Sequence, residues 1–357
     1  MENFLTAYHG RRVFITGHTG FKGSWLCRIL LDVGAEVTGY ALSPSSQPNL
    51  YSLSGLEDNL NSIIGDVRDL EHLKKAFSEA KPEIVFHLAA QPIVREGYRD
   101  PVGTYLTNVM GTVHILECIR QSSTVQSAIN VTTDKVYRNQ EWVWGYRENE
   151  ALDGYDPYSN SKSCSELVSA CYMRSFLENV HIPLSTMRAG NVIGGGDFAP
   201  DRIIPDCIRN TLAGQPIVVR NPNSVRPYQH VLEPLMAYPL VAIRQIEDHT
   251  LAGSYNIGPD EADCVTTAQL ADLFCSAWGS GASWIHHGEL HAPHEANLLR
   301  LDCSKLKSAF SWRPLWHVSE AIQQTIAWTK IWQMQESIMD EMSSEIQAYQ
   351  LQMDNPQ

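Results

Sequence analysis

The chain has 357 residues and 43% hydrophobic content, enough for one large α/β core or two coupled ones, since single cores stop growing near ~250–300 residues. Its 27 Lys plus Arg stand against 40 Asp plus Glu, a formal net charge of −13. This argues against a nucleic-acid or anionic-membrane surface, because phosphate binding needs a basic excess to displace counterions.

The first twelve residues, MENFLTAYHGRR, hold no stretch apolar enough for a secretory signal. RVFIT (12–16) reads as a short apolar strand, Gly20 to Val33 as a helix and AEVTGYAL (35–42) as a second strand. SIIGD (62–66) and EIVFHLAA (83–90) add strands around the helical DLEHLKKAFSEA (69–80). A helix over 101–121, a strand AINVTT (128–133), a helix from Pro157 to Leu177 and a strand LSTMRA (184–189) follow. Strands alternating with helices predict an α/β fold, a doubly wound parallel sheet covered on both faces.

After Ala189 the composition shifts to glycine, proline and isolated basic residues, and the chain is expected to rejoin the sheet at SYNIG (254–258). The predicted domains are therefore 1–189, with strand and helix returns near 228–258, then a smaller C-terminal substrate-binding region of 190–227 and 259–330. A helical tail, 331–357, is expected to pack or fray. The most apolar run, PLMAYPLVAI (234–243), is short and carries two prolines, whereas a membrane span needs roughly 20 residues. The eight cysteines include no Cys-x-x-Cys pair, so reduced thiols, a cytoplasmic location and no metal site are expected. His286, His287, His291 and His294 with Glu289 and Glu295 match no structural zinc spacing and read as a loop.

The first strand runs into Gly17-His18-Thr19-Gly20-Phe21-Lys-Gly23 and then a helix. Glycines there permit a tight turn and a close backbone approach to a pyrophosphate, whose charge the free amides of the helix N-terminus favour. The second strand ends Tyr40-Ala-Leu42-Ser43 without a ribose carboxylate, and no Lys or Arg occurs between Arg28 and Arg68 to meet a 2′-phosphate. NAD is favoured over NADP, with Asp66 and Val67 placed to meet the adenine.

Tyr158 and Lys162 stand one helical turn apart, which puts phenol and ammonium on one face. A nearby cation favours phenolate and would lower the tyrosine pKa from ~10. Thr133 ends the fifth strand beside them.

The ordered motifs TGHTGFKGSW (16–25), HLAAQP (87–92), TNVMGTVH (107–114), VTTDKVY (131–137), WVWGYRENE (142–150) and YDPYSNSK (155–162) resemble the extended short-chain dehydrogenases/reductases of nucleotide sugars. RAGNVIGGGD (188–197), RPYQHVLEP (226–234), PHEA (293–296) and LDCSK (301–305) carry the likeness across nearly the whole chain. That resemblance implies a Rossmann-type fold with NAD. Gly17, His18, Thr19, Gly20, Phe21, Gly23, Asp66, Val67, Leu88, Ala89, Ala90, Asn108, Tyr158 and Lys162 would then form the cofactor site. It further implies Tyr158 as base at the sugar 4-hydroxyl, Thr133 holding that hydroxyl, and Lys162 binding ribose. Asp134 and Lys135 fill the positions of an elimination acid and base; a glutamate is usual where Lys135 stands, and the lysine resembles the branch that dehydrates CDP-glucose.

For these roles Lys135 must be partly neutral and Asp134 must stay protonated, in an apolar or anionic environment. Arginine's planar fork suits phosphate oxygens, so Arg188, Arg202, Arg220 and Arg226, with Asn191 and His230, are the expected substrate contacts. Gly194 to Asp197 reads as either a surface turn or a close-approach loop. Trp142, Trp144, Tyr146 and Arg147 either close over the substrate or fill an interface. The implied function is dehydration of a nucleotide sugar, CDP-glucose, for deoxysugars of bacterial surface polysaccharide. Dehydration of another nucleotide sugar, 4-epimerisation, and a non-catalytic NAD-binding regulator are the alternatives. A homodimer or homotetramer built on helices 101–121 and 157–178 is expected, with neither nucleic acid nor membrane as partner.

Overall fold

A computed structural model describes residues 4–288 and 298–354. Seven strands form one sheet: β1 (Arg12–Thr16), β2 (Glu36–Ala41), β3 (Asn61–Ile64), β4 (Ile84–His87), β5 (Ser127–Val131), β6 (Leu184–Ala189) and β7 (Ser254–Ile257). Their order is β7-β6-β5-β4-β1-β2-β3, and every pair is parallel. Strand order reverses between β1 and β4, where Thr16 pairs with His87. In a doubly wound sheet a ligand crevice opens outside the strand ends at that switch point. β7 returns to the sheet beside β6 at the place the SYNIG segment predicts, with Ile257 opposite Ala189.

Both faces are covered. α1 (Phe21–Asp32) lies on one face; α2 (Leu70–Ala80), α3 (Gly111–Gln121) and α4 (Pro157–Tyr172) cover the other. Burial on both sides explains why β5 and β6 are buried at every residue and read as unbroken apolar runs. The helix expected over 101–121 exists, but residues Leu106–Met110 wind as a wider π-type turn.

α5 (Ile203–Leu212), α6 (Leu232–Glu247), α7 (Thr267–Trp278) and α8 (Val318–Gln333) complete the C-terminal part, followed by α9 (Ile338–Asp354). A separate apolar cluster, including Ile204, Phe274 and Ile322, joins α5, α7 and α8. The apolar run 234–243 is buried within α6 against the sheet. No helix of the described residues is long and apolar enough to cross a membrane. All eight cysteines are free.

The tail packs. Ile338, Met342, Ile346 and Tyr349 of α9 are buried, Ser343 Oγ donates to Asp32 at 3.0 Å, and Tyr349 donates to buried Glu233 at 2.6 Å. The glycine loop 194–196 is a close-approach loop, but to protein. A Cβ on Gly195 would strike the Trp328 ring, and Trp25 Nε1 donates to the Gly195 carbonyl at 3.0 Å.

Candidate active site

A cleft of about 760 Å³ opens at the switch point, lined from the glycine loop, the ends of β2, β4, β5 and β6, α4 and the segment 190–228. Its first wall is Gly17, Thr19, Gly20, Phe21 and Gly23, with Leu88, Ala89 and Ala90 beyond. Gly17 has φ +80, and a Cβ there would sit 2.8 Å from the Ala89 nitrogen; a Cβ on Gly23 would overlap the Gly17 carbonyl. Only glycine allows this closure. Gly20 caps α1 without a side-chain bond, leaving the first-turn amides open for an anion. Ala41, Leu42, Ser43 and Ser45 carry no charge at the β2 end, while Asp66 and Val67 line the same cleft. Asp66 is held below the usual carboxylate range by its hydrogen bonds with Arg68.

Two residues expected in this wall stand behind it. His18 is fully buried with Nε2 2.8 Å from Ser62 Oγ, packed where a Cβ on Gly39 would strike its ring. Burial pushes it down to about 4, so it shapes the turn as a neutral ring. Asn108 is buried and accepts from Gln91 N at 2.8 Å while donating to Ser161 Oγ at 2.9 Å. It braces the β4 loop against α4 and does not line the cleft.

The second wall is chemical. β5 ends at Val131, and Thr133 N-caps a short 3-10 turn, Asp134–Val136. Asp156 caps α4 by accepting from Ser159 N, with Pro157 in the first turn, a strong helix start. That start brings Tyr158 and Lys162 into the cleft beside Thr133, Lys135 and Asn191. Thr133 Oγ1 donates to Asp134 Oδ1 at 2.9 Å.

The electrostatics differ from the expectation at the tyrosine. Burial pushes the Tyr158 phenol up to about 12; Thr133 and Arg202 lower it, while Asp134 and Asp156 raise it. Lys162 Nζ instead donates to the Val131 carbonyl at 3.0 Å, and burial drives it down to about 8. Asp134 follows the expectation in direction: burial raises it, against the pull of Lys135, Thr133, Arg226 and Lys22. Its surroundings are cationic, not anionic, so the upward shift comes from desolvation alone. Asp134 is 1% exposed with Oδ2 unpartnered, just behind Gly190, whose Cβ would lie 3.3 Å away.

Of the expected phosphate ligands, Arg202, Arg220 and Arg226 line the cleft. Arg202 meets Asp197 at 3.1 Å and Arg220 meets Asp201 at 2.9 Å. Arg188 does not reach the cleft. It is 3% exposed, paired with Glu166 at 2.9 Å and bonded to Tyr137 at 2.8 Å. His230 does not reach it either, lying fully buried 2.9 Å from Glu345 of α9. In both cases the side chain lies against a buried carboxylate instead of lining the cleft.

The aromatic stretch packs: Tyr146 stacks on Tyr137 at 5.2 Å, Trp142 stacks on Tyr146 at 5.2 Å, and Arg147 pairs with Asp302. Trp144 is exposed, and none of the four lines the cleft. His291, His294, Glu289, Glu295 and the PHEA motif lie outside the described residues. Sequence reasoning missed Lys22, which lines the cleft and is driven down to about 7 by burial and by the Arg202 and Lys162 charges. The signal was a lysine inside a glycine loop, at a helix end whose dipole opposes a cation.

Fold and site together define a class: Rossmann-type proteins in which a dinucleotide cradle faces a buried Tyr-x3-Lys couple, the short-chain dehydrogenase/reductase pattern. Comparison narrows it. The chain belongs to the GDP-mannose 4,6 dehydratase family of nucleotide-sugar dehydratases and epimerases, whose sequence model matches residues 14–325. The CDP-glucose 4,6-dehydratase of Salmonella typhimurium is 50% identical over 325 residues, covering 89% of this chain and 90% of that one. Among solved structures, UDP-glucose 4-epimerase of Thermotoga maritima with UDP-glucose superposes with TM-score 0.78 at 22% identity, covering 89% and 98% of the two chains. UDP-glucose 4-epimerase of Thermus thermophilus in complex with NAD gives TM-score 0.76 at 25% identity, covering 88% and 98%.

Proposed function

We propose that the protein is a hydro-lyase, a CDP-glucose 4,6-dehydratase that forms CDP-4-keto-6-deoxyglucose and water with NAD. The observation that carries this reading is the meeting of Thr133, Tyr158 and the Asp134-Lys135 pair beside the dinucleotide cradle, in a chain half identical to a CDP-glucose dehydratase. An epimerase has no use for an elimination acid and base. The cradle glycines, the uncapped amides of α1 and the uncharged β2 end fit NAD. NAD, when bound, supplies reversible hydride transfer.

Thr133 holds the 4-hydroxyl and Tyr158 takes its proton. Lys162, anchored on Val131, binds the ribose. The resulting 4-keto group acidifies C5. Lys135, at the cleft surface, then takes the C5 proton while Asp134 protonates the departing 6-hydroxyl. Arg202, Arg220 and Arg226 bind the diphosphate, displacing the carboxylates that Arg202 and Arg220 hold in the free protein. Residues 1–189 with 228–258 carry the dinucleotide; 190–227 and 259–330 carry the sugar nucleotide.

The protein would act in the cytoplasm, toward deoxysugars of surface polysaccharide, as a dimer or a tetramer of dimers. Exposed Leu167 within α4, and Val102, Leu106, Met110 and Phe176 on the helical segments adjoining α3 and α4, support a self-complementary helix interface. Sedimentation tests it: Leu167→Glu should yield monomers, and a wild type already monomeric rejects it.

The function is tested by offering CDP-glucose, UDP-glucose, dTDP-glucose and GDP-mannose in parallel with NAD, reading products by mass. Loss of water from CDP-glucose alone, without net NADH, is expected. Loss from another substrate discards the CDP assignment, and isomerisation without dehydration moves the protein to the epimerases.

A further inference from the structure

Two guanidinium groups from different parts of the chain meet one carboxylate oxygen in the cleft. Asp201 Oδ1 lies 2.9 Å from Arg220 Nη1 and 3.9 Å from Arg95 Nε, and all three residues line the cleft. Arg220, like Arg202 and Arg226, belongs to the segment that follows β6. Arg95 stands on the short helix Val94–Arg99 that follows β4. Among the described arginines lining the cleft, it is the one that precedes β6.

Asp201 has φ +59, a left-handed conformation that Asp and Asn tolerate better than most residues. The turn accounts for Asp or Asn at this position, but not for a charge set between two arginines. The loop leading to it is pinned: Arg209 donates to the Phe198 carbonyl at 3.1 Å and to the Ala199 carbonyl at 3.3 Å, and Asp197 accepts from Ala199 N at 3.1 Å. The bond from Arg220 and the charges of Arg220, Arg95 and Arg99 outweigh burial and hold Asp201 below the usual carboxylate range. It therefore presents a full negative charge at neutral pH.

We propose that Arg95 is a further ligand of the substrate's diphosphate, and that Asp201 occupies the place of one phosphate until the substrate binds. A phosphate offers two oxygens where Asp201 offers one, so it bridges both nitrogens and makes the charge-assisted contacts that a guanidinium favours. Ion pairs between side chains 25% and 31% exposed, as Arg95 and Asp201 are, are weak. The diphosphate wins the exchange, and the released carboxylate turns to water.

Arg95 also does what the other three arginines do not. A Cβ on Gly97, two residues along the same helix, would lie 3.1 Å from Tyr158 N, so the helix that bears Arg95 packs against the start of α4. A phosphate held by Arg95 is thereby fixed relative to Tyr158. One that also meets Arg220 draws both sides of the cleft onto the substrate.

The proposal rests on the reading of Arg202, Arg220 and Arg226 as diphosphate ligands, and calorimetry on the NAD-loaded protein tests it with CDP, cytidine and inorganic pyrophosphate. Pyrophosphate carries neither base nor sugar, so its response stands even if the substrate panel discards the dehydratase reading. Arg95→Ala should weaken CDP and pyrophosphate by at least ~10-fold and leave cytidine unchanged. Unchanged CDP affinity overturns the proposal, and so does an equal loss for cytidine, which would make Arg95 structural. Asp201→Asn suits the same turn and should tighten CDP and pyrophosphate ~3-fold or more, a gain that a damaged fold cannot produce. That gain should shrink once Arg95→Ala is added, because the carboxylate then has one arginine fewer to release. No gain, or a gain undiminished in the double variant, overturns the shared site.

Discussion

The Arg188 guanidinium lies 2.9 Å from the Glu166 carboxylate in the interior beneath the active site, with both side chains at most 3% exposed. Glu166 follows Lys162 by one turn of α4, and its charge raises Lys162 against the effect of burial. The pair thus anchors α4 to β6. Burial alone would raise Glu166, but Arg188, Thr132 and Thr186 hold it below the usual range.

Glu166→Gln should cost ~3–5 kcal/mol in urea unfolding, because it strands a buried guanidinium. Arg188→Lys should not restore the loss seen in Arg188→Ala, since an ammonium cannot reproduce the two-pronged contact. Because Glu166 is depressed in the folded chain, its contribution is present above the unfolded value of ~4.3 and lost as pH falls through the folded one.

Tyr158→Phe removes the proposed proton acceptor at the 4-hydroxyl while leaving the ring. The expected loss in kcat is ~10²–10⁴-fold, with NAD affinity by calorimetry unchanged. Activity near wild type would reject the assignment.

Lys135→Ala should part the half-reactions. Reduced nicotinamide and 4-keto sugar should accumulate on mixing with CDP-glucose while loss of water stops. If dehydration continues at the wild-type rate, another residue takes the C5 proton.

Gly23→Ala places a methyl against the Gly17 carbonyl. NAD binding should weaken by at least ~10-fold in calorimetry, with far-UV dichroism preserved. Unchanged affinity would remove the cradle from the NAD site.

Glu233 tests the packed tail. It is fully buried, accepts from Trp316 N at 2.8 Å and from Tyr349, and burial raises it to about 7. A carboxyl raised on folding destabilises as pH climbs from its unfolded value toward 7, since the folded state then holds the extra proton. Thermal melts should therefore fall over that window, and Glu233→Gln should flatten the decline. An identical slope in the variant rejects this account.

Much of the fold was legible from local pattern. Strands RVFIT and LSTMRA span the residues of β1 and β6, and the return at 254–257 closes the sheet, because strands buried on both faces leave unbroken apolar runs. The glycine loop and the Tyr158–Lys162 spacing were legible too, since tight closure admits only glycine and one helical turn fixes the shared face.

What the sequence could not decide was which way a side chain turns and what waits there. Arg188 and Arg226 look alike as letters, yet Glu166 draws one into the core while the other borders the cleft. His230 was paired by a helix more than a hundred residues later. Lys22, Lys162 and Asp134 owe their shifted proton affinities to burial, a property of the assembled cleft. Local pattern therefore determined the elements and the cradle, through sterics and periodicity. Only tertiary structure decided which charges face the substrate and which hold protons, because desolvation and long-range pairing exist only once the chain is folded.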